Sequence, residues 1–118
     1  MRIPELRDIQ AAQERIRDWI HRTPVMTSSG IDRIVGAFKF RGASNAVLLL
    51  DEKEAARGVA THSSGNHAAA LALAASRRGI PAYIVMPSNA PEVKKKAVAG
   101  YGATITFCQP TLSAREST

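Results

Sequence analysis

The sequence is poor in cysteine and in aromatic residues. Its 118 residues include a single cysteine, Cys108, so the chain can form no internal disulfide, and a reducing compartment suits it. The aromatic residues are three Phe, two Tyr and one Trp, and they are not interleaved with basic side chains. Alternating aromatic and basic residues are typical of nucleic-acid surfaces. We therefore expect no nucleic-acid partner, in spite of a formal net charge of +6.

Long apolar runs are also absent. No stretch reaches the length of a membrane-spanning helix, and the charged N-terminus lacks the apolar centre of a signal peptide. The sequence thus predicts no membrane partner and favours a cytoplasmic location. Hydrophobic residues make up 45% of the chain, which is typical of a globular protein, and the length is that of one domain.

Strand-like and helix-like segments alternate from Gly58 onward. The segments rich in apolar or β-branched residues are Gly58–Thr61, Ala82–Met86 and Ala103–Phe107. Between them, Ala68–Ser76 and Lys94–Ala99 have the composition of helices, with a glycine just beyond each. This order predicts an α/β fold with an open parallel sheet and flanking helices.

Two further helices are predicted before the sheet, over Pro4–His21 and Phe40–Leu50, because apolar residues recur there at helical spacing. The first is amphipathic. Its apolar face consists of Leu6, Ile9, Ile16 and Ile20. After Pro110 the sequence becomes polar.

A polar turn, His62–Asn66, follows the first predicted strand and precedes a helix. Free N–H groups at the start of a helix, together with the positive end of its dipole, bind carboxylates and phosphates. Ser63, Ser64 and Asn66 add polar side chains, and Gly65 leaves room for a ligand. The alternative is an ordinary capped helix, since serine and asparagine are common at helix starts.

Lys39 stands among apolar neighbours at the start of a predicted helix. Desolvation and the helix N-terminus both disfavour an ammonium group, so we expect Lys39 to lose its proton more easily than a surface lysine does. A lysine that forms a Schiff base needs this property. The alternative is a lysine whose charged end lies in water.

These two stretches together resemble one enzyme family. Phe38-Lys39-Phe40-Arg41-Gly42-Ala43, followed by Ser63-Ser64-Gly65-Asn66-His67, is similar to the paired motifs of pyridoxal-phosphate enzymes of the tryptophan-synthase-β type. Within that family the serine racemase and serine/threonine dehydratase branch is the most similar. Three further segments extend the resemblance over nearly the whole chain: His21–Val25, Gly79–Pro87 and Tyr101–Ala103.

The resemblance implies roles for the residues of both motifs. In the family, the lysine of the first motif holds the cofactor, pyridoxal 5′-phosphate, as a Schiff base; here this is Lys39, with Phe38 packed near the ring. The asparagine of the second motif contacts the 3′-oxygen of the cofactor, which implies this role for Asn66. The substrate carboxylate would be bound by the whole turn, which comprises Ser63, Ser64, Gly65, Asn66 and His67.

Ser64 favours one branch of the family. In serine racemases the matching serine exchanges a proton on the face of the substrate opposite the lysine, whereas threonine dehydratases usually have alanine there. Racemisation needs a proton-transfer group on each face. The resemblance therefore implies a racemase of serine, with dehydratase activity on L-serine and L-threonine, in which Lys39 and Ser64 are the catalytic residues.

The sequence departs from the family pattern in two places. Val35-Gly36 runs directly into Ala37, where the family has a strand and a loop, so we expect an internal deletion and little regular structure over Met26–Phe38. The sequence also ends at Thr118, well short of the usual length, without the glycine-rich phosphate loop and the divalent-metal carboxylates. We expect residues 1–118 to be a single incomplete domain, with its core at about residues 40–110.

Two hypotheses follow. In the first, the chain is part of a pyridoxal-phosphate-dependent serine racemase and dehydratase, which in the full-length family is a homodimer that binds magnesium, and this chain alone has little activity. In the second, it is a non-catalytic remnant that associates with full-length subunits. Neither hypothesis places a metal ligand in this chain.

Overall fold

The computed structural model describes residues 4–20 and 37–118; Ala37, Phe38 and Arg115 are described by their backbone only. The helices are α1 Leu6–Ile16, α2 Ala37–Leu49, α3 Glu52–Arg57, α4 Asn66–Arg78, α5 Glu92–Gly100 and α6 Leu112–Ser117. The strands are β1 Val59–His62, β2 Ala82–Pro87 and β3 Thr104–Cys108. A short 3₁₀ turn, Arg17–Trp19, follows α1.

The strands form one parallel sheet in the order β1-β2-β3. Thr61 pairs with Ile84, and Ile84 pairs on its other side with Ile105. Helix α4 connects β1 to β2, and α5 connects β2 to β3. The predicted α/β fold with an open parallel sheet is therefore confirmed. Each end of each predicted strand lies within one residue of the observed end.

Small residues on α4 form the centre of the core. Because the alanine side chain is a single methyl group, α2 and the sheet can both approach this helix closely. The alanines of α4 that are at most 2% exposed are Ala68, Ala70, Ala72, Ala74 and Ala75. From the sheet, the alternate residues Ile84 and Met86 point into the same core, and α2 adds Phe40 and Val47.

The other face of β2 is more open. Tyr83, which alternates with the buried residues of this strand, is 47% exposed. The described sheet is thus packed mainly on the side of α4.

Helix α1 is shorter than predicted, and fewer of its apolar side chains are buried than predicted. It ends at Ile16 rather than near His21, and its first turn is closed by the Glu5 N–H, which donates to Asp8 Oδ2 at 2.8 Å. The predicted apolar face is wrong for its first half, because Leu6 is 69% and Ile9 59% exposed. In the C-terminal half of α1, Arg15 donates to the Asn45 side-chain oxygen of α2.

Two short helices are additions to the elements expected from apolar periodicity. Helix α3 begins with a reciprocal pair: the Glu54 N–H donates to Asp51 Oδ1 at 2.8 Å, and the Asp51 N–H donates to Glu54 Oε2 at 3.1 Å. Helix α6 begins at Thr111, whose hydroxyl accepts from the Ala114 N–H at 3.2 Å. The Asp-x-x-Glu spacing is a recognisable helix start and could have predicted α3.

The expected irregular stretch Met26–Phe38 falls outside the described residues, apart from the backbone of Ala37 and Phe38, which is helical. Across residues 4–20 and 37–118, each helix is too short or too polar to cross a membrane.

Candidate functional site

The turn after β1 is held to the neighbouring strand. The Ser63 N–H donates to the Val85 carbonyl at 3.0 Å, which continues the pairing of β1 with β2 by one residue. The Ser63 hydroxyl then accepts from the Gly65 N–H at 3.3 Å. Ser64 is exposed between these two residues. The turn therefore has a fixed backbone and presents the side chain of Ser64 to solvent.

Helix α4 begins at Asn66 with Gly65 in the N-cap position. Since glycine has no side chain, no side-chain cap satisfies the first-turn N–H groups of α4. A methyl group at Gly65 would meet no atom of residues 4–20 and 37–118 within 4 Å, so the described part of the chain leaves space beside this helix start. Asn66 is exposed and His67 is half-buried in the same turn. This arrangement suits an anionic group.

Lys94 is the residue of this site that sequence reasoning missed. Its ammonium group donates to Oδ1 of Asn66, which brings the first turn of α5 to the start of α4. A signal for it was present: Lys94 follows the second strand, and the carboxyl ends of adjacent parallel strands meet at the same edge of a sheet.

Lys39 lies in the first turn of α2 and is exposed. Among the described residues its ammonium group makes no hydrogen bond or ion pair, and its neighbour Phe40 is only 3% exposed. The predicted desolvation of Lys39 is therefore wrong. Successive residues of a helix point about 100° apart, so apolar neighbours in sequence do not surround a side chain in space.

The structure does not bring Lys39 into contact with the turn. Beside it, the Phe40 ring lies 5.5 Å from the guanidinium carbon of Arg77. Arg77 belongs to the last turn of α4, about 17 Å along the helix axis from Asn66 at ~1.5 Å per residue. Ser63, Gly65 and Asn66 are thus held together and joined by Lys94, whereas no contact among the described residues links Lys39 to them. The side chain of Phe38, predicted near the cofactor ring, lies outside the described atoms.

A family model described as "Pyridoxal-phosphate dependent enzyme" matches residues 31–118. The chain belongs to this family. The match includes both motifs, from Lys39 in α2 to His67 in α4, and all three strands of the sheet.

Individual relatives agree with the family. The chain is 49% identical to a β-hydroxyaspartate dehydratase of Paracoccus denitrificans, over 100% of the chain and 42% of the relative. It is 48% identical to a serine racemase of Dictyostelium discoideum, over 95% of the chain and 39% of the relative. Among solved structures, maize serine racemase superposes with a TM-score of 0.81 and 49% identity, over 92% of this chain and 37% of that one.

The chain spans about two fifths of the length of the relatives it matches, 42% and 39% for the two curated proteins. The first alignment also runs over 132 positions, although the chain has 118 residues, so it contains a net excess of 14 positions. An internal deletion produces such an excess. Its place before Ala37 stays a prediction.

The described residues fit the family's cofactor in two respects. Lys39 offers a solvent-accessible side-chain nitrogen, the group that condenses with an aldehyde, although it is not buried among apolar side chains as predicted. Asn66 offers the NH₂ group of its amide, because its oxygen is already bound to Lys94. Pyridoxal phosphate has both a reactive aldehyde and a phenolic oxygen.

Proposed function

We propose that this chain carries the lysine and the carboxylate-binding turn of a pyridoxal-phosphate-dependent serine racemase that also dehydrates serine and threonine. The observation that supports this most is the start of α4. There the turn is anchored to β2, the first-turn N–H groups have no side-chain cap, and the Lys94 ammonium is bound to the side-chain oxygen of Asn66. Such an array of donors and positive charge binds a carboxylate.

In this proposal the substrate carboxylate lies on the turn. The N–H groups of the first turn of α4 donate to it, and Ser63, Ser64 and His67 bound the space around it. The carboxylate then fixes the substrate so that its Cα lies between two proton-transfer groups. Positioning of this kind accounts for much of the rate of a reaction between bound groups.

Lys39 and Ser64 are the two proton-transfer groups. The Lys39 amine removes the Cα proton from one face, and the Ser64 hydroxyl, exposed on the turn, returns a proton on the other face. Pyridoxal phosphate, when bound, supplies stabilisation of the negative charge at Cα. Loss of the β-hydroxyl from the same carbon skeleton gives dehydration in place of racemisation.

We expect little turnover from this chain alone. The first turn of α2 contacts the far end of α4 through Phe40 and Arg77, and Lys39 has no described contact with the turn. A displacement of about 1 Å can reduce a rate on the order of a hundredfold. The alternative hypothesis is that the chain is a non-catalytic remnant that associates with full-length subunits. It also predicts little turnover for the isolated chain.

Covalent labelling tests the proposed cofactor lysine. The chain is incubated with pyridoxal phosphate, reduced with borohydride and digested, and the modified lysine is identified by mass spectrometry. We expect Lys39→Ala to abolish the label and Lys53→Ala, which removes another exposed lysine, to leave it. A label spread over several lysines would contradict the assignment of Lys39.

A version extended to the length of the relatives tests Ser64. We expect Ser64→Ala to suppress conversion of L-serine to D-serine far more than release of pyruvate, because only racemisation needs a proton on the second face. Equal loss of both activities would remove Ser64 from this role. Lys39→Ala should abolish both.

A second substrate belongs in the same assay. The relative matched over 100% of the chain is named a β-hydroxyaspartate dehydratase, which favours 3-hydroxyaspartate as a candidate beside serine and threonine. Faster loss of ammonia from 3-hydroxyaspartate than from serine would identify a dicarboxylic substrate.

We also propose, from the resemblance, a cytoplasmic homodimer for the full-length protein. Magnesium, which the resemblance implies, does not fit the described part of the chain, since residues 4–20 and 37–118 include no group of three or more His, Cys, Asp or Glu suited to a metal ion.

A further inference from the structure

The contact between Lys94 and Asn66 decides how the amide of Asn66 is oriented. A lysine ammonium group has three donors and no acceptor, so the amide atom that faces it must be the oxygen. This chemical rule fixes the assignment of the two amide atoms, which are otherwise hard to tell apart. The NH₂ group of Asn66 is then directed away from Lys94 and is available to a ligand.

Only the first of the three consecutive lysines makes this contact. Lys95 is bound to the Glu92 carboxylate at 2.7 Å, and its ammonium nitrogen lies 5.4 Å from the centre of the Phe107 ring. Its hydrogen bond and its charge lower the pKa of the Glu92 carboxyl. Lys96 is exposed. The role of Lys94 is therefore specific to its position on α5.

The contact also places a positive charge beside the start of α4, where the helix dipole is already positive. The Lys94 ammonium and the positive end of the α4 dipole repel each other, so their proximity is unfavourable by itself. An anionic oxygen bound between them reverses the sign of the interaction. The local electrostatics thus agree with the direction in which the amide points.

We infer that Lys94 is a positioning residue for the cofactor: by holding Oδ1 of Asn66, it keeps the amide NH₂ turned toward the phenolic oxygen of pyridoxal phosphate. This inference rests on the proposed function. Lys94 itself does not touch the cofactor in this assignment. It fixes which end of the Asn66 amide the cofactor would meet.

The orientation is tested without any cofactor. In ¹⁵N-labelled protein, the side-chain NH₂ resonances of Asn66, assigned by their loss in Asn66→Asp, are compared in Lys94→Met, Lys94→Arg and the control Lys96→Met. We expect them to shift in Lys94→Met, to be restored in Lys94→Arg, and to be unchanged in Lys96→Met. Equal spectra for Lys94→Met and Lys96→Met would overturn the orientation.

Cofactor binding is tested in the same set of variants by equilibrium dialysis with pyridoxal phosphate. We expect Lys94→Met to weaken binding roughly tenfold, as for the loss of one hydrogen bond to a charged group, and Lys96→Met to have no effect. Asn66→Asp keeps an oxygen for Lys94 but removes the NH₂ donor, so it should weaken binding at least as much. Retained affinity in Asn66→Asp would show that the contact only joins α4 to α5.

The outcomes separate this inference from the proposed function. If the unmodified chain binds pyridoxal phosphate and Lys94→Met binds it equally well, the inference fails and the proposed function stands. If the unmodified chain binds none, the proposed function fails for this chain, and the role of Lys94 toward the cofactor fails with it. The resonances of Asn66 then decide the orientation alone.

Discussion

Ser44 has a fully buried hydroxyl group in α2, and Oγ has no hydrogen-bond partner among the described residues. A buried polar atom without a partner loses its bonds to water and gains nothing in return. We expect Ser44→Ala to raise the free energy of unfolding by up to about 1 kcal/mol, measured by urea denaturation.

The reverse substitution, alanine to serine, at a neighbouring position of the same helix is the control for Ser44. Ala43 is also buried, and Ala43→Ser should lower the free energy of unfolding by about 1–2 kcal/mol because it adds an unpaired hydroxyl. A destabilised Ser44→Ala protein would show instead that the hydroxyl has a partner.

Two glycines with positive φ differ in their surroundings. At Gly58, φ is 81°, and an added Cβ would lie 2.6 Å from the Pro81 carbonyl oxygen. At Gly79, φ is 72°, and an added Cβ would meet no atom of the described residues within 4 Å. Gly79→Ala should therefore cost about 1 kcal/mol for the left-handed backbone alone. Gly58→Ala should cost clearly more, since a backbone must move, and thermal melting of both variants checks the order.

At the scale of residues, the sequence motifs predicted the family correctly, but the sequence did not predict how exposed each side chain is or which residues it contacts. The motifs around Lys39 and Asn66 indicated the family, and the family is shown. The exposure of Lys39 could not be predicted from its apolar neighbours, because the helix turns Phe40 into the core and Lys39 outward. The contact of Lys94 with Asn66 joins two helices, and no local pattern encodes it.

At the scale of elements, Arg78 closes the C-terminal end of α2. Its guanidinium group donates to the carbonyls of Val47 and of Leu50, the latter at 2.8 Å, and its side chain is only 15% exposed. Val47 lies in the last turn of α2 and Leu50 directly follows the helix, where carbonyl groups lack an intrahelical partner. We expect Arg78→Met to lower the free energy of unfolding by about 1–2 kcal/mol, measured by chemical denaturation.

Glu52 provides the control for Arg78. It forms an ion pair with Arg78 at 3.3 Å, but its own side chain is 97% exposed. Exposed pairs contribute little, so Glu52→Gln should change stability by less than about 0.5 kcal/mol. A large effect of Glu52→Gln would place the stabilisation in the ion pair and not in the capped carbonyls.

The elements of the sheet followed from sequence more closely than those outside it. The strands are short apolar segments between prolines, glycines and a polar turn, so their ends are marked on both sides. Helix α1 was predicted too long because the apolar spacing continues to Ile20, which packs against the core from extended backbone after the 3₁₀ turn. Helix α3 has too few apolar residues to show a period, and its start is encoded by Asp51 and Glu54 instead.

At the scale of the whole molecule, α4 and β2 are central. Strand β2 is paired on both sides, and α4 contains five alanines that are almost completely buried. Amide groups exchange slowly where opening requires most of the structure to unfold. We therefore expect hydrogen exchange to be slowest in β2 and α4 and fastest in α1 and α6. Equal protection of α1 and β2 would contradict this distribution.

The fold class was predictable because an alternation of strands and helices leaves few arrangements for a parallel sheet. The packing of particular helices on each face of the sheet was not predictable from the sequence. It depends on the small residues of α4, which pack against both α2 and the sheet. The same limit applies to the candidate site, whose turn is local in sequence and whose lysines come from other elements.

The strand order β1-β2-β3 repeats the order of the strands along the chain. During synthesis, each strand that leaves the ribosome therefore finds its pairing partner already present, and the sheet can grow at one edge in the direction of translation. Among the three described strands, none is inserted between two that precede it in the sequence. Val59 pairs with Ala82 and Tyr83 with Thr104, so each pairing closes one helical crossover, and we expect the strands to join the sheet in the order in which they are made.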